Sequence, residues 1–268
     1  MSSLVEQMEN EYRQKIRALH FFDANCCLGR VNNRGPVFMN SVDDLIGHMD
    51  RSGIEKAVVC HALARYSHPL FGNKKLLQEI SGNDRLTGCF ILLPEGTREL
   101  YPPDEYIDYM IENKVYFAKI FPDSLRFSVD EWSASSLFKS LELRRVPLFI
   151  RSREISWSDL YSILTKYPAL PVIVEQGDAE TYRDLRYLYP LMEKCENLYL
   201  EVHNSHLYLQ IDDIVGRFGA QRLVFSTYYP VDDSQTSTML ITHGRFDIKD
   251  KEMIAHGNLE SLIEGVKK

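Results

Sequence analysis

Long apolar segments are missing from this chain of 268 residues. No run approaches the roughly 20 residues that a helix needs to cross a bilayer, which argues against a membrane protein. The first residues, MSSLVEQMENEYRQKIRALH, are charged and helical in pattern. They lack the apolar core and small-residue cleavage site of a signal peptide. We therefore expect a cytoplasmic protein that has no membrane partner.

A disulfide framework and an excess of positive charge are also missing. The five cysteines are odd in number and lack framework spacing, so we expect reduced thiols. The formal net charge is −7, whereas a nucleic-acid-binding protein is usually basic on at least one face. The sequence thus predicts no nucleic-acid partner, and it is compatible with a homo-oligomer.

Eight short apolar runs alternate with segments of amphipathic helical pattern. The runs begin at His20, Lys56, Leu86, Val115, Val146, Leu170, Asn197 and Arg222. Their spacing of about 25 to 35 residues is typical of βα units. Eight units form a (β/α)8 TIM barrel, and no glycine-rich phosphate loop follows the first run to favour an open doubly wound sheet. We predict one barrel domain over residues 1–268, with an extra outer helix from about Ser3 to Leu19.

Side-chain alternation along the seventh run predicts which residues enter the barrel. Leu198, Leu200 and Val202 form an apolar set that should face the surrounding helices. Glu201 and His203 should then point inward, near the carboxyl end of the strand. Catalytic groups of this fold lie at that end.

Several segments, together covering most of the chain, resemble the amidohydrolase-related family. Residues 23–29 resemble its Asp-Ala-His-x-His-x-Gly opening, 117–122 its fourth strand, and 172–177 the strand that normally ends in His-Gly. Residues 218–230, FGAQRLVFSTYYP, are the most specific match, to Phe-Gly-x-x-Arg-x-x-Phe-Gly-Ser-Asp-x-Pro. Residues 254–262 resemble the closing helix with its Gly-Asn signature. The resemblance implies a TIM barrel with hydrolase or decarboxylase chemistry.

The resemblance also implies a metal centre, but the family's ligands are replaced in this chain. That family holds its metal with histidines of the first and middle strands and with the aspartate of the last strand. The corresponding positions carry Asn25, Cys27, Arg151, Gln176 and Tyr228. An amide and a phenol are weak ligands, and a guanidinium cannot coordinate a cation. We therefore predict no metal and no other cofactor.

A replacement zinc site is the alternative. Cys27, His61, Glu201 and His203 have the right chemical types for zinc. No tight spacing such as Cys-x-x-Cys supports the set. We therefore favour an ordinary core role for Cys27 and a hydrogen-bonded role for His203.

The predicted barrel mouth is rich in positive charge. Lys119 and Arg151 alternate with apolar residues on adjacent strands, so both should enter the barrel. Glu201 would neutralise them as a buried salt bridge, or a carboxylate or phosphate ligand would supply the charge. Arg30 and Arg65, in the loops after the first and second strands, would add to the positive potential.

Three function classes stay open. We favour a metal-independent hydrolase or C–C lyase that acts on a small carboxylated substrate. The predicted substrate-binding residues are Asn25, Arg151, Gln176, Glu201, Arg30 and Arg65, and the predicted catalytic residues are Lys119, His203 and Tyr228. In one variant Lys119 forms a Schiff base, with Arg151 lowering its pKa by like-charge repulsion. The alternatives are a non-catalytic anion-binding protein and a metal-dependent hydrolase with a rearranged site.

Overall fold

The computed structural model describes residues 3–31, 41–176, 181–205 and 207–268. Eight parallel strands, each paired with the next along the chain, form one sheet. They are β1 (Phe21–Leu28), β2 (Ile54–His61), β3 (Leu86–Ile91), β4 (Phe117–Ile120), β5 (Leu148–Arg151), β6 (Val172–Glu175), β7 (Leu198–Glu201) and β8 (Leu223–Val224). Ala24 N–H donates to Phe225 O, and Cys27 N–H to Tyr229 O, both at 2.9 Å. These bonds bring the end of β8 beside β1, and the predicted (β/α)8 barrel is confirmed.

Helices separate the strands and surround the sheet. They are α1 (Leu4–Ala18), α2 (Val42–Ser52), α3 (Ala62–Tyr66), α4 (Pro69–Ile80), α5 (Pro103–Glu112), α6 (Glu131–Arg144), α7 (Trp157–Lys166), α8 (Thr181–Lys194), α9 (Gln210–Phe218), α10 (Ser234–Thr242), α11 (Ile248–Glu252) and α12 (Asn258–Glu264). None of the helices in the described ranges is long and apolar enough to span a bilayer.

The N-terminal helix α1 lies outside the barrel, as predicted. Ser3 begins it with a capping box: its hydroxyl accepts from Glu6 N–H at 3.2 Å, and the Glu6 carboxylate accepts from Ser3 N–H at 2.7 Å. Ile16 is buried, and the Tyr12 hydroxyl is 2.9 Å from Thr238 Oγ1 of α10. These contacts attach α1 to the helical layer.

The core has two layers, divided by strand alternation. Leu198 and Leu200 of β7 pack in the outer layer against the helices. Phe117, Phe149 and Ile173 pack in the inner layer, inside the barrel. The predicted faces of β7 and β5 are therefore confirmed.

A buried carboxylate joins the first strand to the segment after β8. Asp23 is fully buried, and its Oδ1 accepts from the backbone N–H groups of Asn25 and Thr227, both at 3.0 Å. Its Oδ2 accepts from the Thr227 hydroxyl. The next residue, Tyr228, has a left-handed backbone with φ of 60°. This junction places Asn25 and Tyr228 on neighbouring parts of the barrel mouth.

Candidate active site at the barrel mouth

A cavity of about 720 Å³ lies at the carboxyl ends of the strands. Five of the sequence-predicted site residues line it: Asn25, Arg65, Lys119, Arg151 and Tyr228. Active sites of this fold are built at that end of the barrel. Aromatic side chains of Tyr66, Phe121 and Tyr229 also line it.

Lys119 is neutralised by a carboxylate that the sequence analysis did not single out. Its ammonium forms a salt bridge with Glu175 of β6, and the two side chains are only 4% and 2% exposed. It also donates to Asn25 Oδ1 at 2.9 Å. Side chains two residues apart on a strand share a face, so the inward position of Ile173 predicts that Glu175 also points into the barrel. The internal partner of Lys119 is therefore Glu175 and not Glu201, which one of the open explanations had named.

The environment of Lys119 does not suit a Schiff-base nucleophile. Burial alone would lower the pKa of Lys119, but the Glu175 carboxylate and the Cys60 thiol raise it further than burial lowers it. A lysine nucleophile needs a depressed pKa to be neutral near pH 7. The predicted lowering by Arg151 is corrected, because an adjacent carboxylate outweighs a like charge on the next strand.

Asn25 connects Lys119 to a second buried carboxyl group. Its Nδ2 donates to Glu201 Oε2 at 3.0 Å, while its Oδ1 accepts from Lys119. Burial raises the pKa of Glu201 to about 7, with the Glu175 charge acting in the same direction. His203, Lys119 and Asn25 oppose this shift. Glu201 can therefore hold a proton near neutral pH.

His203 continues this chain of contacts toward solvent. Its Nδ1 is 3.8 Å from Glu201 Oε1, and its Nε2 is 2.7 Å from Asp232 Oδ2. His203 is buried, whereas the Asp232 side chain is 49% exposed and lines the cavity. The contacts thus run from the buried Lys119 to a carboxylate at the cavity rim.

Three predicted site residues lie behind the cavity wall instead of on it. Gln176 Nε2 donates to the Glu201 carbonyl at 3.1 Å and to Ser205 Oγ at 2.9 Å, tying β6 to the segment after β7. Glu201 and His203 are also absent from the lining. Gly177, which ends the β6 motif, lies outside the described residues. Gln176 and Glu201 thus support the wall from behind, and their contact with a substrate stays a prediction.

The two loop arginines differ in position. Arg30 is exposed and does not line the cavity. Arg65 lines it and donates to Glu154 Oε1 at 2.9 Å and Ser124 Oγ at 3.1 Å. Glu154 therefore offsets the charge of Arg65. Of these two predicted ligand-binding arginines, the structure brings only Arg65 to the site.

Arg151 and Tyr228 form a donor pair on the cavity wall. Arg151 Nη1 donates to the Tyr228 hydroxyl at 2.9 Å, and the guanidinium lies 5.1 Å from the centroid of that ring. Burial raises the pKa of Tyr228, although the Arg151 charge opposes the shift. Tyr228 therefore keeps its phenolic proton at neutral pH.

The residues at the family's ligand positions do not fit a metal cation. Asn25 Oδ1 already accepts from the Lys119 ammonium, and Tyr228 accepts from the Arg151 guanidinium. The Arg151 guanidinium at one of these positions is a cation that cannot coordinate a metal. Across residues 3–31, 41–176, 181–205 and 207–268, no three His, Cys, Asp or Glu side chains gather as a metal site.

The members of the alternative zinc set have separate partners. His61 Nε2 is 3.3 Å from Glu79, on α4. His203 bonds to Asp232, and Glu201 accepts from Asn25. Cys27 lies beside Cys60 on the neighbouring strand. The four side chains therefore do not converge on one point.

Comparison with known proteins identifies solved structures that have a similar fold. No protein-family model and no curated protein match the chain. A 5-carboxyvanillate decarboxylase from Sphingomonas paucimobilis is 10% identical, with a TM-score of 0.71 over 92% of this chain and 99% of that one. A 2,6-dihydroxybenzoate decarboxylase from Rhizobium is 13% identical, with a TM-score of 0.69 over 91% and 98%. The chain shares the TIM-barrel fold of these two decarboxylases.

A third similar structure adds no chemistry. It is an uncharacterized TIM-barrel protein from Bordetella bronchiseptica, 16% identical, with a TM-score of 0.68 over 97% of this chain and 92% of that one. At such identities the likeness concerns the fold, and fold alone does not establish activity. The expected resemblance is confirmed at that level.

We expect Glu201 to make stability depend on pH. Its pKa is about 7 in the folded protein and near the ordinary 4.5 when unfolded, so the folded state binds the proton more tightly. This stabilisation is complete below about pH 4.5 and is lost as pH rises through about 7. In the wild-type protein the free energy of unfolding should therefore fall by about 3 kcal/mol as the pH rises across that range. Glu201→Gln should remove this fall.

Urea unfolding at about pH 5 and about pH 8 measures this difference. Glu193→Gln is the matched control, because Glu193 is exposed on α8. It should leave the pH dependence of the wild-type protein in place. Equal pH dependence in wild type and Glu201→Gln would show that Glu201 is ionised throughout.

Proposed function

We propose that the protein is a metal-independent hydrolase or C–C lyase that acts on a small carboxylated substrate bound in the barrel-mouth cavity. One observation carries the proposal. The Arg151 guanidinium and the Tyr228 phenol lie side by side on the cavity wall. They combine a carboxylate-binding fork with a proton-bearing hydroxyl.

Arg151 is the proposed carboxylate-binding residue. A guanidinium presents its N–H donors in a planar fork that matches the two oxygens of a carboxylate, and Arg151 lines the cavity beside Tyr228. Lys119 and Arg65 also line the cavity, and they form salt bridges with Glu175 and Glu154 respectively.

The cavity suits a substrate with an apolar or aromatic body. Its volume of about 720 Å³ falls in the range of small-molecule sites. Tyr66, Phe121 and Ile91 contribute apolar surface to its lining. The named structural neighbours are decarboxylases of carboxyvanillate and dihydroxybenzoate. A carboxylated aromatic acid is therefore the first substrate class to test.

Tyr228 is the proposed proton donor. Loss of carbon dioxide leaves a carbanion that must take up a proton, and hydrolysis needs a proton for the leaving group. Tyr228 is protonated and faces the cavity, next to the residue that would hold the carboxylate. His203 and Asp232 would return a proton to the cavity from its rim. Lys119 orients Asn25 and takes no covalent part.

A non-catalytic anion-binding protein is the second candidate. Lys119 is held in a salt bridge with Glu175 and His203 lies behind the wall, so of the three predicted catalytic residues only Tyr228 presents a reactive group to the cavity. Both candidates bind an anion through Arg151. Turnover separates them.

The proposal is tested on the full chain with a panel of benzoates, phthalates, citrate and phosphate. Ligands that raise the melting temperature identify binders. Each binder is then incubated with protein treated with a chelator, and substrate loss and carbon dioxide release are followed. Turnover that survives chelation supports the proposal. Binding without turnover supports the second candidate. Metal analysis could instead find about one zinc, manganese or iron per chain. If Cys27→Ser loses both this metal and the activity, metal independence is contradicted.

Tyr228→Phe should lower kcat by about a hundredfold while KM changes little, because it removes a proton donor and keeps the ring. Steady-state kinetics on the substrate found above measures the effect. Tyr208→Phe is the control, since Tyr208 is 84% exposed and outside the lining. A fall in kcat/KM caused by KM alone would assign Tyr228 to binding.

A further inference from the structure

Two cysteines lie side by side on the cavity wall. Cys27 of β1 and Cys60 of β2 are direct partners in the β1–β2 ladder, and both line the cavity. Cys60 is buried and Cys27 is half-buried at this wall, whereas Cys26, Cys89 and Cys195 are buried and do not line the cavity. The pair has no part in the function proposed above.

The separation of the two residues suits a disulfide bond. Adjacent strands lie about 4.8 Å apart, within the Cα separation of roughly 4.4 to 6.8 Å that disulfides allow. Cys27 and Cys60 both line the cavity, so their side chains point to the same side of the ladder. Closing the bond therefore requires side-chain rotation more than backbone movement.

The charge of Lys119 favours a thiolate at this position. The adjacent Cys27 thiol and then the Lys119 charge lower the pKa of Cys60 to about 7, although burial opposes the shift. By contrast, burial raises the pKa of Cys26 and of Cys89 well above the usual value. Reactive cysteines are those with an accessible thiolate.

We propose that Cys27 and Cys60 form an oxidisable dithiol, which small peroxides entering the cavity convert to a disulfide between β1 and β2. The Cys60 thiolate attacks a peroxide oxygen, an S–O bond forms, the O–O bond breaks, and hydroxide leaves. The Cys27 sulfur then attacks Cys60, an S–S bond forms, the S–O bond breaks, and water leaves after protonation. Two thiols lose two electrons, and hydrogen peroxide becomes two molecules of water. An added dithiol reverses the change.

The test oxidises the full chain with hydrogen peroxide and maps its peptides without reduction. A Cys26→Ala background removes the ambiguity of adjacent cysteines. We expect one cross-linked peptide joining the Cys27 and Cys60 segments, lighter than the sum of the two by two hydrogen atoms. Dithiothreitol should restore both thiols. Alkylation of native, reduced protein should be at least about tenfold faster at Cys60 than at Cys89.

Single cysteine variants identify which two thiols form the cross-link. Cys27→Ser and Cys60→Ser should each abolish the cross-link, whereas Cys89→Ser and Cys195→Ser should keep it. Thermal melting verifies that each variant is folded, and the peptide map of the Cys26→Ala protein decides the matter if a serine variant unfolds. A cross-link to Cys89, or no cross-link when peroxide is in excess, would overturn the proposal. The result is independent of anion binding and turnover.

Discussion

Replacing Arg151 by methionine should weaken carboxylate binding in the cavity by about 30-fold or more, a loss of ~2 kcal/mol or more. The guanidinium fork supplies paired, charge-assisted hydrogen bonds that methionine cannot make. Methionine keeps much of the unbranched stem, so the cavity wall should stay filled. Titration calorimetry with a benzoate or phthalate that stabilises the wild-type protein measures the change.

Arg153→Met is the matched control for this prediction. Arg153 is two residues along the chain, is exposed, and does not line the cavity. It should leave the dissociation constant near that of the wild-type protein. If no anion in the panel shifts the wild-type melting curve, or if Arg151→Met strongly destabilises the ligand-free protein, Arg151 is structural and the binding hypothesis fails.

The second large effect concerns stability and arises from the buried salt bridge. Lys119→Met should lower the free energy of unfolding by about 3–5 kcal/mol, because it leaves the Glu175 carboxylate buried without its cation. Within the described part of the chain, neither Glu175 oxygen has a hydrogen-bond donor in good geometry to replace that ion pair. Urea unfolding at neutral pH measures the loss.

Two further variants make this prediction specific. Lys119→Met/Glu175→Leu should recover most of the lost stability, because an apolar pair can replace a buried ion pair at little cost. Lys166→Met removes an exposed pair with Glu131, whose side chains are 51% and 64% exposed. It should cost less than about 1 kcal/mol. If the double variant is as unstable as Lys119→Met, packing of the lysine stem is responsible instead of the charge.

The proposed anion site therefore differs from the one that the two adjacent cations in the sequence suggest. Lys119 and Arg151 do enter the barrel as predicted, but Lys119 is neutralised internally. An internal carboxylate was one of the two explanations open at the start, with Glu201 named as the partner. The second explanation, an anionic ligand, now rests on Arg151.

The sequence by itself determined the barrel and the faces of its strands. Eight apolar runs with βα spacing predict eight parallel strands, and period-two alternation placed Leu198 and Leu200 outward. Side chains of a strand have only two directions, so a local pattern decides between them. Applied to β6, the same rule predicts that Glu175 points inward. The sequence analysis chose Gln176 instead, because that position matches the family motif.

Only the tertiary structure decided which inward side chains meet and how deep they lie. Lys119 and Glu175 belong to β4 and β6, two strands apart, and alternate strands of this fold contribute side chains to the same interior layer. The layer that a residue joins depends on the register between strands, which local alternation does not contain. The same register holds Glu201 and His203 behind Asn25 and sets Cys27 opposite Cys60. Contacts of this kind join residues far apart in the chain, and they form only once the barrel closes.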